Sequence, residues 1–237
     1  MLNVVCFKWG DKYTPSYVNN LYAGVDKFLN ADYKFTCITD NPSGLNPNIK
    51  IYPLWNEVSE IKDTKYIKKK LNCYRRLKLY DSKILEIFNY NLLVLDIDTI
   101  ISGDITFLAE LDKNAFYCCK STGRNGYALN PSVTRIVDNK ISKVWEEFKK
   151  DPLTVIKKSH KAGWTGSDQA VISYLLNDKV QCLGFDNGII SFRDEKHIFQ
   201  KNTSKLPDSI KIISFYGDDE INEDLVLQYP WIENFWN

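Results

Sequence analysis

The stretch Asn91-Leu-Leu-Val-Leu-Asp96-Ile-Asp98-Thr-Ile-Ile101 decides how this chain is read. Its apolar run reads as a buried central strand, and it runs straight into two carboxylates. Side chains two apart on an extended segment point to the same side, so Asp96 and Asp98 converge. Like charges gathered at the end of a buried strand are costly unless a cation or strong donors stand between them. A hard divalent ion meets that need, and Mn2+ or Mg2+ suits carboxylates combined with the phosphate oxygens of a substrate. Such an ion would neutralise the charge developing on a diphosphate leaving group. The plain alternative is an exposed turn in which both aspartates are merely solvated.

Outward from this strand, short β-branched runs alternate with helical patterns, which is the signature of an α/β fold. Further strands are expected at 2–8, 34–39, 49–53, 115–120, 180–185 and 211–216, and the central one at 91–96. Behind Pro15, the residues Val18, Leu21, Tyr22, Val25, Phe28 and Leu29 recur at helical spacing. A second helix is expected over 65–88. A third is expected to open at Asn130-Pro131, read as an N-cap with proline at the first helical position, and to run through Phe148. Ser167 is placed to cap a helix carrying Ala170, Val171, Tyr174 and Leu175. In a sheet of this kind ligands bind at the carboxyl ends of strands, so those ends are the place to search.

Composition narrows the classes. The 237 residues are 44% hydrophobic and 26% charged, which is a globular balance and excludes disorder, collagen and coiled coil. Lys+Arg 31 against Asp+Glu 30 leaves a net charge of +1, so no global field favours nucleic acid. Six cysteines lie scattered without a Cys-x-x-Cys, which favours reduced, buried thiols and a cytoplasmic setting. The apolar start at 1–8 is too short for a signal peptide, and no run reaches membrane-spanning length. No repeat or linker divides the chain, which predicts one domain over 1–237.

The ordered motifs resemble the nucleotide-sugar glycosyltransferases of the GT-A fold, near the glycogenin and lipopolysaccharide-galactosyltransferase group. Val4-Val-Cys-Phe-Lys8-Trp-Gly-Asp-Lys-Tyr13, followed by Tyr17-Val-Asn-Asn-Leu-Tyr-Ala-Gly-Val25, is similar to that group's opening strand, nucleotide loop and first helix. Phe35-Thr-Cys-Ile-Thr-Asp40 resembles its second strand, ending near the base. Asn72-Cys-Tyr-Arg-Arg76-Leu-Lys-Leu-Tyr80 resembles the helix whose basic residue reaches the sugar nucleotide, and Arg76 is the matching position. Asn125-Gly-Tyr-Ala-Leu-Asn130 resembles the strand beside the donor sugar, and Gly166-Ser-Asp168-Gln169 the Asp-Gln motif at the head of a late helix.

The resemblance implies a Rossmann-like mixed sheet flanked by helices, with a nucleotide-binding part at about 1–100 and an acceptor-side part at about 101–237. It implies transfer of a sugar, most simply from a UDP-hexose, to a glycan or other glycoconjugate hydroxyl, with Mn2+ or Mg2+ as cofactor. Nucleotide binding would fall to Lys8, Trp9, Gly10, Tyr13, Asp40, Arg76 and Asp96. Asn125 and Gly126 would meet the donor sugar, Asp168 and Gln169 would act at the reacting centre, and Asp96, Asp98 and Tyr216 would stand at the metal positions. Each has its own chemical reason: Trp9 and Tyr13 offer stacking faces, Gly10 permits close approach, and Arg76 can clamp phosphate with two parallel bonds.

In Ile212-Ile-Ser-Phe-Tyr216-Gly217-Asp-Asp-Glu-Ile221, Tyr216 occupies the place of the group's histidine ligand, and acidic residues replace its lysine. Weaker metal binding with Asp218 or Asp219 substituting, a displaced loop, and loss of activity all stay open. The alternatives to a transferase are a non-catalytic sugar-nucleotide binder and a haloacid-dehalogenase-type phosphohydrolase, in which Asp96 would be the nucleophile. The closing aromatics Tyr229, Trp231, Phe235 and Trp236 suit either the edge of a core or the docking of an acceptor or, peripherally, a membrane surface.

Overall fold

A computed structural model describes residues 1–58, 61, 73–112, 115–121, 129–137, 140–164, 167–176, 179–215 and 220–236. Its strands are β1 (Leu2–Lys8), β2 (Tyr33–Thr39), β3 (Lys50–Pro53), β4 (Leu92–Leu95), β5 (Thr99–Ile101), β6 (Phe116–Lys120), β7 (Leu129–Ile136), β8 (Val180–Leu183), β9 (Ile189–Ser191) and β10 (Ile212–Ser214). Its α-helices are α1 (Pro15–Phe28), α2 (Ser82–Ile87), α3 (Phe107–Glu110), α4 (Lys143–Lys150), α5 (Pro152–Lys161), α6 (Asp168–Leu176) and α7 (Glu223–Gln228). A seven-stranded sheet runs in the order β3-β2-β1-β4-β7-β6-β8, and a three-stranded sheet in the order β5-β10-β9. Parallel and antiparallel pairs coexist: β1 pairs with β2 in parallel, whereas β6 and β7 are antiparallel. No helix among the described residues is long and apolar enough to cross a membrane.

Contacts divide the chain into two compact units. The first comprises Met1–Tyr52, Leu95–Leu111 and Leu183–Asn237. Every residue of β1 is buried, as an interior strand requires, and Cys6 and Cys37 lie opposite one another in the β1–β2 register. The six cysteines carry no disulfide. Pro15 opens α1, where its missing N–H has no helical acceptor to lose, and the helix buries Val18, Leu21, Gly24 and Val25 along one stripe. A side chain at Gly24 would meet Ile101 Cβ at 3.0 Å, so the absence of one sets the approach of α1 to β5. The carboxyl-terminal aromatics close the core. Phe192 packs on Phe215 at 4.8 Å and on Tyr229 at 5.1 Å, and Phe199 stacks on the fully buried Trp231 at 5.2 Å. Phe235 and Trp236 pack partly buried against the same cluster.

The second unit comprises Pro53–Val94 and Asp112–Cys182. The helix expected over 65–88 is corrected here: residues 73–80 form a 3-10 run, and α2 begins separately. The break falls at Asp81, which is extended and accepts the N–H of Lys83 to cap α2; this local bond competes with a continuous helix. Positions 65–72 lie outside the described residues. The helix expected from Asn130-Pro131 is a strand, β7. The pairing with β6 jumps from Cys119↔Asn130 to Cys118↔Thr134, a bulge that contains Pro131, so the missing N–H forfeits no bond to β6. Within it, Asn130 Oδ1 accepts the Ser132 N–H, and the Thr134 hydroxyl donates to the Pro131 carbonyl. The apolar periodicity toward Phe148 belongs to a separate α4, which buries Val144, Trp145 and Phe148.

Arg135 is buried in this unit and donates to the carbonyls of Leu92 and Ile136 and to Asn91 Oδ1, fastening β7 to the start of β4.

Candidate functional site

Strand β4 ends at Leu95, and Asp96-Ile97-Asp98 form the turn that leads into β5. The expected extended geometry is therefore replaced by a tight turn, yet the two carboxylates still feel one another. The carboxyl of Asp98 is pushed up to about 7, first by burial and then by the charge of Asp96. The Tyr13 phenol and the Lys12 ammonium act in the opposite direction. Tyr13 Oη donates to Asp98 Oδ2 at 2.9 Å across 85 positions of sequence. Burial and Asp98 in turn raise the phenol's own pKa, so Tyr13 is a fixed donor at neutral pH.

The loop after β1 brings these groups together. Gly10 takes a positive φ of 60°, and its N–H donates to Asp40 Oδ2 at 3.2 Å, joining the ends of β1 and β2. Lys8 is buried at the last position of β1, and Trp9, half-buried, meets Phe7 edge-on at 6.3 Å. Lys12 Nζ lies 2.7 Å from Tyr13 Oη and 3.1 Å from Glu220 Oε1. The Tyr13 ring leans on Tyr17 at 4.8 Å, and Tyr17 Oη donates to the Ile221 carbonyl at 3.0 Å. Asp40, Gly10, Tyr13, Asp96 and Asp98 thus all belong to the first unit, at or just beyond strand ends.

In the second unit, Arg76 Nε meets Asp168 Oδ2 at 2.7 Å, and the Ser167 hydroxyl donates to Asp168 Oδ1 at 2.7 Å. The Ser167 side chain thus turns to its neighbour's carboxylate. Gln169 Nε2 reaches Asn130 Oδ1 at 3.4 Å. Asn125, Gly126 and Tyr216 lie outside the described residues, as do Asp218 and Asp219. Among the described residues no group of three or more His, Cys, Asp and Glu could surround a metal ion. The pair alone still has the right chemistry: half-buried carboxylates that resist joint ionisation form an oxygen donor set suited to a hard cation. Lys12 is the site residue that sequence reasoning passed over, because an exposed lysine in a loop carries no local signal of its partners.

The architecture is the GT-A type of glycosyltransferase fold. The galactosyltransferase LgtC, solved in complex with donor and acceptor sugar analogues, matches over 99% of this chain and 94% of its own, at 15% identity and a TM-score of 0.64. GlyE of Streptococcus pneumoniae TIGR4, a glycosyltransferase, matches over 94% of this chain at 18% identity and a TM-score of 0.61. The bifunctional glycosyltransferase WbbM matches over the whole chain at 14% identity and a TM-score of 0.57. The chain spans 57% of the GlyE chain and 50% of the WbbM chain. No family profile and no curated protein sequence matches it. At these identities the likeness is one of fold.

Proposed function

We propose that the chain is a metal-dependent glycosyltransferase that moves a hexosyl group from a nucleoside diphosphate donor, UDP-hexose, to a hydroxyl of a glycan or glycoconjugate. The observation that carries this reading is the Asp96–Asp98 pair at the end of β4, held by Tyr13 from the loop after β1, in a chain of this fold. Asp96 and Asp98 would hold Mn2+ or Mg2+, which when bound supplies positive charge to the diphosphate as it leaves. Gly10 and Asp40 close the loop on which the nucleoside would rest, with Trp9 and Tyr13 giving it aromatic surface. Tyr13 fixes the rotamer of Asp98 through its phenolic proton. Asp168 and Gln169 are assigned to the transferred sugar, whose bond to the diphosphate breaks as the acceptor oxygen forms its own.

Thermal-shift measurements with UDP, GDP and CDP, each with and without Mn2+, test the proposal. A ligand confined to the folded state raises the melting point at concentrations well above its Kd. A nucleotide-selective rise that requires Mn2+ is the expected result. The absence of a rise with every nucleotide contradicts it.

A further inference from the structure

The phosphate-binding cation expected from sequence is already engaged: Arg76 directs its Nε to Asp168, a carboxylate only 1% exposed. A different cation stands beside the aspartate pair. Lys12 Nζ lies 2.7 Å from Tyr13 Oη, and that oxygen lies 2.9 Å from Asp98 Oδ2, so a single hydroxyl separates the ammonium from the carboxylate. The ammonium also lies over the Tyr13 ring, 4.3 Å from its centroid. Its one carboxylate partner among the described residues is Glu220, at 3.1 Å, with side-chain exposures of 31% and 49%. An ion pair this open to water contributes little and exchanges readily.

We infer that Lys12 is the phosphate-binding cation of the donor site, parked on Glu220 until a diphosphate arrives and then transferred to it. The inference rests on the donor-site reading above. Charge balance supports it. A nucleoside diphosphate sugar brings about two negative charges to a pair of carboxylates, and one divalent ion cancels only half of that total; a neighbouring ammonium offsets part of the rest. Tyr13 is a positioning residue in this arrangement, donating its proton to Asp98 while its oxygen lone pair receives Lys12. Glu220 gives the lysine a counter-charge that the incoming phosphate displaces.

Calorimetric titration of the full chain and of Lys12→Met, Lys12→Arg and Glu220→Gln tests this, with uridine, UDP plus Mn2+, and pyrophosphate plus Mn2+ as probes. Lys12→Met is expected to weaken UDP and pyrophosphate about tenfold and leave uridine unchanged. Lys12→Arg should retain most of the affinity, and Glu220→Gln should tighten both phosphate probes about twofold. Unchanged phosphate binding in Lys12→Met, or an equal loss for uridine, overturns the inference. UDP binding that ignores Lys12 overturns the inference and leaves the donor reading standing. Lys12-dependent pyrophosphate binding without any uridine or UDP binding overturns the donor reading, and with it the assignment of Lys12 to a donor site. Failure of the wild-type chain to bind any probe overturns both.

Discussion

Arg76 Nε lies 2.7 Å from Asp168 Oδ2 and joins the 3-10 run of Cys73–Tyr80 to the head of α6, across 92 positions of sequence. Both side chains are largely shielded from water, at 18% and 1% exposure. Removing one partner of such a pair leaves an uncompensated charge inside the protein. Arg76→Met should therefore cost about 3–5 kcal/mol in urea unfolding. The double variant Arg76→Met, Asp168→Asn should recover much of that loss, since the orphaned charge goes with its partner. A double variant no more stable than the single one would show that the pair is not the source of the effect.

Asp98 sets a pH dependence for the metal-free protein. Its folded pKa is about 7, against 3.8 for an ordinary aspartate, so the folded state binds this proton more tightly than the unfolded state. The contribution of Asp98 to stability in EDTA should be greatest below the unfolded pKa, fall as pH rises toward about 7, and level off beyond it. Asp98→Asn has no proton to lose and should flatten that slope. Melting temperatures across this range check it, and equal slopes in the two proteins would contradict it.

Gly188 heads β9 with a φ of 72°, and a side chain there would place its Cβ 2.4 Å from the Ser209 carbonyl oxygen. The Gly188 carbonyl also accepts from the N–H groups of Lys211 and Ile212, at 2.8 and 3.1 Å. Backbone on both sides must shift to admit a methyl group, so Gly188→Ala should cost more than about 2 kcal/mol. A denaturation midpoint close to wild type would contradict this account of the turn.

Trp231 is fully buried, and its indole N–H has no hydrogen-bond partner among the described residues. Trp231→Ala should cost about 3–5 kcal/mol, because a large cavity opens under Phe199 and Phe192. Trp231→Phe removes volume but also an unsatisfied donor, and these effects oppose one another. Its cost should stay below about 2 kcal/mol in the same unfolding measurement. Equal costs for the two variants would contradict this division.

What could be read from the sequence follows from how local its causes are. Strand β1 and helix α1 appear with the expected bounds at Leu2–Lys8 and from Pro15, because an unbroken apolar run and a 3.6-residue period behind a proline each point one way. Asn130-Pro131 misled, since an Asx residue followed by proline imitates a helix start, and only pairing with β6 shows that Pro131 occupies a bulge. The three-stranded sheet was caught only at β10, since three-residue strands such as Thr99–Ile101 carry little pattern, and this one pairs with Ile212–Ser214 far along the chain. At the site, the apolar run into Asp96 and Asp98 was legible. The Tyr13 bond to Asp98 was not, because a hydrogen bond between residues 85 apart leaves no trace in either neighbourhood. Arg76 and Asp168 were each singled out, but for separate tasks, and nothing local shows that they pair.

The most direct test of the account is a calorimetric titration of UDP in the presence of Mn2+ into the wild-type chain and into Asp98→Asn, with unfolding curves confirming that both are folded. The account predicts saturable, Mn2+-dependent binding by the wild type and none by the variant. UDP binding of equal strength in the two proteins would contradict the assignment of Asp96 and Asp98 as the centre of the donor site.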